Sequence, residues 1–217
     1  MKILNIVVAA GKGTRFGADR PKQFCTLDGK TVLSHAVERL RRATDMAPTV
    51  VVVSPGFETE VPDGCMTAYG GPTRGGSVRN ALRAVESYDA DVILIHDGAR
   101  PLPSSRLISL AIEACRNHHG AIPVVPVIDS LRRVSDGEPV NRAEFRCVQT
   151  PQAFRADLLR RSYALTEGRE FTDDASVMSA AGFGDIALTE GDSCNLKITL
   201  PMDLEIAALY LKHDAGK

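Results

Sequence analysis

Strand-length runs of apolar residues alternate along this chain with stretches of helical spacing, and no other feature limits its possible folds as much. Ile3 to Ala9, Thr49 to Ser54, Asp91 to His96 and Ala121 to Val127 read as strands, the last made irregular by Pro123 and Pro126. Between them, Thr31 to Ala43 carries Val32, Leu33, Ala36, Val37 and Leu40 at helical spacing. Thr73 to Ser87 and Ser104 to Asn117 also read as helices. The expected architecture is an α/β, Rossmann-like, mostly parallel sheet with helices on both faces. Ligands of such sheets collect beyond the carboxyl ends of the strands.

The stretch AAGKGTRFGADRPKQF, residues 9–24, lies at such an end. Glycines directly after a strand let the backbone approach a ligand closely. Lys12, Arg15, Arg20 and Lys22, against Asp19 alone, imply that the ligand is an anion. The plainer reading is an ordinary strand-to-helix turn with solvated charges. Two familiar phosphate loops are excluded. No Gly-x-x-x-x-Gly-Lys-[Ser/Thr] occurs, and the third glycine of a dinucleotide fingerprint is replaced by Phe16, with Gly17 one residue late.

At 217 residues the chain suits one sizeable α/β domain, 1–217, without room for a fused second enzyme. A net charge of −1 gives no global basic field for nucleic acid, so an anion site must be local. No apolar run approaches the roughly 20 residues that span a membrane, and the N-terminus lacks the pattern of a cleaved leader. Five scattered cysteines without a CxxC pair fit reduced thiols and a cytoplasmic location. From about 128 to 146 the pattern breaks into short extended pieces around Asp136–Gly137, which reads as a hairpin arm. With little core of its own, the arm is expected to pack on another chain.

Polar residues cluster in five further stretches: GGPTRGGSVRNAL (70–82), HDGARP (96–101), DSLRR (129–133), FTDDAS (171–176) and NLKIT (195–199). Asp97 follows a strand directly and could contact Mg2+ or simply cap a turn. Ser77 could cap a helix, and Arg74 and Arg100 could be solvated surface residues.

In their order and spacing these stretches, with AAGKGTRFG, PKQF and QTPQAF, resemble the 2-C-methyl-D-erythritol 4-phosphate cytidylyltransferase family over residues 6–209. The resemblance implies a CTP-dependent, Mg2+-assisted transfer of a cytidylyl group to a sugar-alcohol phosphate. It assigns catalysis to Arg15, Lys22, Arg142 and Lys197. Nucleotide binding falls to Ala9, Ala10, Gly11, Gly13, Thr14, Gly71 and Ser77. Asp97, Arg100, Ser130, Arg132 and Thr172 would bind the second substrate, Asp97 also touching the metal. It further implies a homodimer whose exchanged arms complete the sites, with no nucleic-acid or membrane partner. The arm reads Asp-Ser-Leu-Arg where the family commonly has Asp-Thr-x-Lys, and Arg is not a neutral exchange for Lys at a tight contact.

Three other readings share parts of this pattern. Ribitol-5-phosphate cytidylyltransferases share the loop and chemistry, but vary at AAGKG, HDGARP and TDDAS. Sugar-1-phosphate nucleotidyltransferases share the glycine loop but not the arm. A non-catalytic nucleotide-binding protein would be expected to have lost one of the four cations.

Overall fold

The computed structural model describes residues 1–11, 13, 16–17 and 20–214. Its first half runs β1 (Ile3–Val8), β2 (Thr26–Leu27), β3 (Lys30–Thr31), α1 (Val32–Ala43), β4 (Thr49–Val53), β5 (Met66–Tyr69), α2 (Arg74–Ala84), β6 (Val92–Asp97) and α3 (Ser105–Ala114). The second half continues with β7 (Gly120–Pro126), β8 (Leu131–Arg132), β9 (Pro139–Val140), β10 (Arg146–Val148), β11 (Gln152–Arg155), α4 (Ala156–Leu165), α5 (Asp174–Ala180), β12 (Ile186–Glu190) and α6 (Met202–Asp214).

The large strands form one eight-stranded sheet in the order β10-β7-β11-β6-β1-β4-β5, with β12 also paired to β7. β6, β1, β4 and β5 are parallel neighbours, and β12 runs parallel to β7. Only β10 and β11 run against their neighbours. The mostly parallel sheet expected from the sequence is therefore present, with an antiparallel insertion that the sequence pattern did not reveal.

Strand alternation sends successive side chains to opposite faces. Leu4, Ile6, Val50, Val52, Ile93 and Ile95 pack beneath α2, α4 and α5, whereas Val7, Val51, Val53, Val92 and Leu94 pack beneath α1 and α3. Thr31, Thr73 and Ser104 start α1, α2 and α3 by accepting a backbone N–H from the third residue onward. The third cluster gathers Phe16, Leu27, Val32, Leu102 and Ile198 against Ala207 of α6. The hairpin expected around Asp136–Gly137 is formed: Leu131 pairs with Val140 and Arg132 with Pro139, and Gly137 turns the chain at φ +74. In and beside it, Ile128, Val134, Phe145 and Val148 are exposed. No helix among the described residues is long and apolar enough to cross a membrane.

Candidate active site

A cleft of about 690 Å³ opens at the carboxyl ends of β1, β4, β5 and β6. Its walls are the backbone of Ala9, Ala10 and Gly11, the turn Gly70–Thr73, and side chains of Lys22, Arg74, Ser77, Asp97 and Lys197. The turn from β5 to α2 must be glycine. A Cβ on Gly70 would fall 2.4 Å from that of Ala10, and one on Gly71 would fall 2.8 Å from the Gly76 carbonyl carbon. Ser77 does not cap α2, which Thr73 does. Instead its hydroxyl accepts the Gly71 N–H at 3.1 Å and donates to the Thr73 carbonyl at 3.0 Å, fastening the turn.

The PKQF segment divides its labour residue by residue. Lys22–Phe24 form a single 3-10 turn after Pro21. Phe24 anchors it by stacking on Phe57, ring centroids 4.6 Å apart. The buried Gln23 amide donates to the carbonyls of Ala9 at 2.5 Å and Gly11 at 2.9 Å, so it fixes the backbone where it leaves β1. Lys22 faces the cleft, where its side chain runs beside Gly13, itself at φ +62.

Opposite, Asp97 ends β6 with its side chain 13% exposed. One carboxylate oxygen accepts Arg74 Nε at 3.3 Å and the other Lys197 Nζ at 2.7 Å. Arg74 also donates to Asp174 at 2.8 Å, and the Tyr163 hydroxyl donates to the other oxygen of Asp174 at 2.6 Å. Burial opposes ionisation of Asp97, but Arg74 and then Lys197 outweigh it and hold the carboxyl well below its usual range. Burial likewise opposes the Arg74 charge, and Asp174 and Asp97 outweigh it, raising that pKa. Asp97 therefore stays an anion.

Its backbone is fixed from behind. The fully buried His96 faces the Arg100 carbonyl through Nε2 at 2.9 Å, so that nitrogen carries the proton. Nδ1 then accepts from the Thr150 hydroxyl at 3.1 Å, and Thr150 Oγ accepts the Asp97 N–H at 3.0 Å. Burial pushes His96 down from 6.5 to about 4. The unfolded chain thus takes up this proton first as pH falls. The His96 contribution to stability should be full above pH 6.5 and lost progressively down to about pH 4. The difference is about 3 kcal/mol. Urea unfolding across that window should show the loss, and His96→Gln should flatten the slope.

Lys197 reaches Asp97 because two loops are tied together. The buried Asn195 amide donates to the Thr150 carbonyl at 2.9 Å, Arg100 donates to the Asn195 carbonyl at 2.8 Å, and Ile198 N–H to the Ala99 carbonyl at 2.8 Å. Arg100 is thus a strap between loops and is not among the residues that line the cleft.

Of the residues proposed from sequence, the cleft gathers Ala9, Ala10, Gly11, Gly13, Lys22, Gly71, Ser77, Asp97 and Lys197. Arg15 and Thr14 lie outside the described residues. Ser130, Arg132 and Arg142 do not line the cleft of this chain: Arg132 donates to the Gly137 carbonyl at 3.3 Å and Arg142 to that of Ile128. Thr172 is exposed before α5 and also outside the cleft. Arg74, read as solvated, is instead ion-paired twice and 27% exposed. Gln23, Thr150, Asp174 and Asn195 were missed as site residues. Each lay within a motif already singled out, which was the available signal.

A glycine-rich loop at a strand end, two cleft lysines and one ionised aspartate define a nucleotidyltransferase-type site on a mostly parallel α/β sheet. The profile of the family described as IspD, 2-C-methyl-D-erythritol 4-phosphate cytidylyltransferase, matches residues 3–213, and the chain belongs to that family. It is 38% identical over 222 residues to the 2-C-methyl-D-erythritol 4-phosphate cytidylyltransferase of Bacteroides thetaiotaomicron, covering 97% of this chain and all of that one. It is 40% identical over 216 residues to a bifunctional IspD/IspF enzyme of Rhodospirillum rubrum, covering 95% of this chain but 56% of that protein. Among solved structures, the 2-C-methyl-D-erythritol 4-phosphate cytidylyltransferase of Thermus thermophilus superposes with a TM-score of 0.80 at 34% identity, covering 95% of this chain and 98% of that one.

Proposed function

We propose that the cleft transfers the cytidylyl group of CTP to 2-C-methyl-D-erythritol 4-phosphate, giving 4-diphosphocytidyl-2-C-methyl-D-erythritol and pyrophosphate. Membership of the family carries the reaction. The observation that carries the site is the pair of lysines, Lys22 and Lys197, lining one cleft together with glycine backbone. The ribitol-5-phosphate alternative is not favoured, since the matched relatives are methylerythritol phosphate enzymes.

The acceptor is a phosphate monoester whose second pKa is about 6, so near neutral pH it is already a nucleophilic anion. Its oxygen attacks the α-phosphorus, that P–O bond forms, and the bond to the leaving pyrophosphate breaks. No proton has to move. That accords with His96, which is buried and neutral, and with Cys115, whose thiol burial pushes up to about 12. The work lies in bringing two anions together and neutralising charge on the phosphates. Lys197 would steady the acceptor phosphate, and Lys22, with Arg15, would take the charge building on the triphosphate.

Mg2+ fits this donor set. Among the described residues no three His, Cys, Asp or Glu side chains form a metal cage. Mg2+ in nucleotide enzymes commonly takes one or two carboxylates and draws its other ligands from phosphates and water. Asp97 would supply the carboxylate, and the ion would withdraw charge from the phosphate oxygens. The exposed apolar side chains of the arm support a homodimer in which Arg142, Ser130 and Arg132 serve the neighbouring cleft, Thr172 lying near the acceptor. Five cysteines outside any disulfide support a cytoplasmic setting. Pyrophosphate release with CTP and Mg2+ should occur with methylerythritol phosphate and not with ribitol 5-phosphate. Release with the second alone would move the acceptor assignment, and silence with both would remove the enzymatic reading.

A further inference from the structure

We propose that Arg74, Asp174 and Tyr163 are positioning residues, a buried relay that holds the Asp97 carboxylate in the orientation the cleft needs. The inference rests on the reading of that cleft as the nucleotide site. Its geometry is a continuous chain: Tyr163 hydroxyl to Asp174 at 2.6 Å, Asp174 to Arg74 at 2.8 Å, Arg74 Nε to Asp97 at 3.3 Å. The Asp174 side chain is fully buried, and Tyr163 is 3% exposed.

The relay joins three elements at their ends. Arg74 is the first residue of α2, Asp174 the first of α5, and Asp97 the last of β6, with Tyr163 reaching in from α4. A cation at a helix N-terminus faces the positive end of the helix dipole, so Arg74 is held there by its carboxylate partners and not by its own helix. Asp174, in the first turn of its own helix, is favoured by the field that disfavours Arg74.

Charge counting gives the relay its purpose. Arg74 and Lys197 both lean on Asp97, and without Asp174 the guanidinium would neutralise Asp97 outright. With Asp174 taking half of the Arg74 fork, Asp97 keeps negative charge for Lys197, or for a cation that replaces it when phosphates draw Lys197 away. Stability alone does not account for this arrangement, because a buried ion pair adds little net stability over apolar residues of the same volume. Tyr163 locks Asp174 by a neutral hydroxyl donor, adding no charge.

The test uses the full chain with Tyr163→Phe, Asp174→Asn, Arg74→Gln and the double variant Arg74→Gln/Asp174→Asn. Tyr163→Phe should lower kcat about fivefold and Asp174→Asn about tenfold or more, with KM for CTP changed less than about twofold. The double variant should be no slower than Arg74→Gln alone, since members of one network do not add. Exchange of the Arg74 Nε–H, followed by NMR on the nucleotide-free protein, should quicken about tenfold in Tyr163→Phe, the mildest change. The relay is overturned if folded Asp174→Asn retains kcat within about twofold, if the losses multiply, or if Arg74 exchange is unmoved. The exchange readout needs no turnover, so failure of the nucleotide reading and failure of the relay are told apart.

Discussion

Lys197→Ala is expected to lower kcat for cytidylyl transfer on the order of 10²- to 10³-fold while leaving the fold intact. Lys197 is exposed on a loop, and its ammonium meets Asp97 at 2.7 Å, so its loss removes a cation from the cleft without opening the core. Asp97 is not orphaned, because Arg74 still holds its other oxygen. The unfolding temperature should therefore shift little. Steady-state kinetics and a thermal melt on one preparation check both halves. The same variant tests arm exchange. In a dimer with shared sites, mixing Lys197→Ala with Arg142→Ala leaves half of the dimers mixed, each with one intact site. About a quarter of wild-type turnover should return. No recovery would keep Arg142 out of the neighbouring cleft.

Gly70→Ala should damage both binding and stability. The added methyl would lie 2.4 Å from the Ala10 Cβ, across the floor of the cleft, so one of two backbone segments must move. Overpacking of this kind costs about 1–3 kcal/mol, and the displaced segments are those that would approach the nucleotide. CTP affinity measured by calorimetry should fall about tenfold or more, with a lower unfolding temperature. Gly11→Ala is the matched control. Nothing lies within 4 Å of a Cβ there, so its stability should stay at the wild-type value. Any loss of CTP affinity in that variant would report contact with the nucleotide itself.

The parts of the fold readable in the sequence were those with a strong local pattern. β1, β4 and β6 are apolar on both faces, and α1 to α3 begin at Thr or Ser caps. β11 was not read as a strand because it is four residues long inside the QTPQAF motif, and its pairing partners lie far away in sequence. β12 alternates only weakly, and α4 starts at Ala156, after Arg155, with no capping side chain to announce it. The same division holds in the site. Asp97 and Lys197 were legible, one from its place at a strand end and the other from the NLKIT motif. Arg74 looked like a solvated charge, since its two partners stand 23 and 100 residues away. Burial and pairing over such distances are tertiary facts. The arm residues Ser130, Arg132 and Arg142 do not line this chain's cleft, so their proposed roles rest on the family resemblance and not on a local pattern.

The central claim is that the acceptor phosphate oxygen attacks the α-phosphorus of CTP within this cleft. Methylerythritol phosphate labelled with 18O in its phosphate group, turned over with unlabelled CTP and Mg2+, tests it directly. The account predicts that the label appears at the bridging oxygen of the diphosphate product and that the pyrophosphate released carries none. Label in the pyrophosphate, or its absence from the bridge, would mean that a different bond is made.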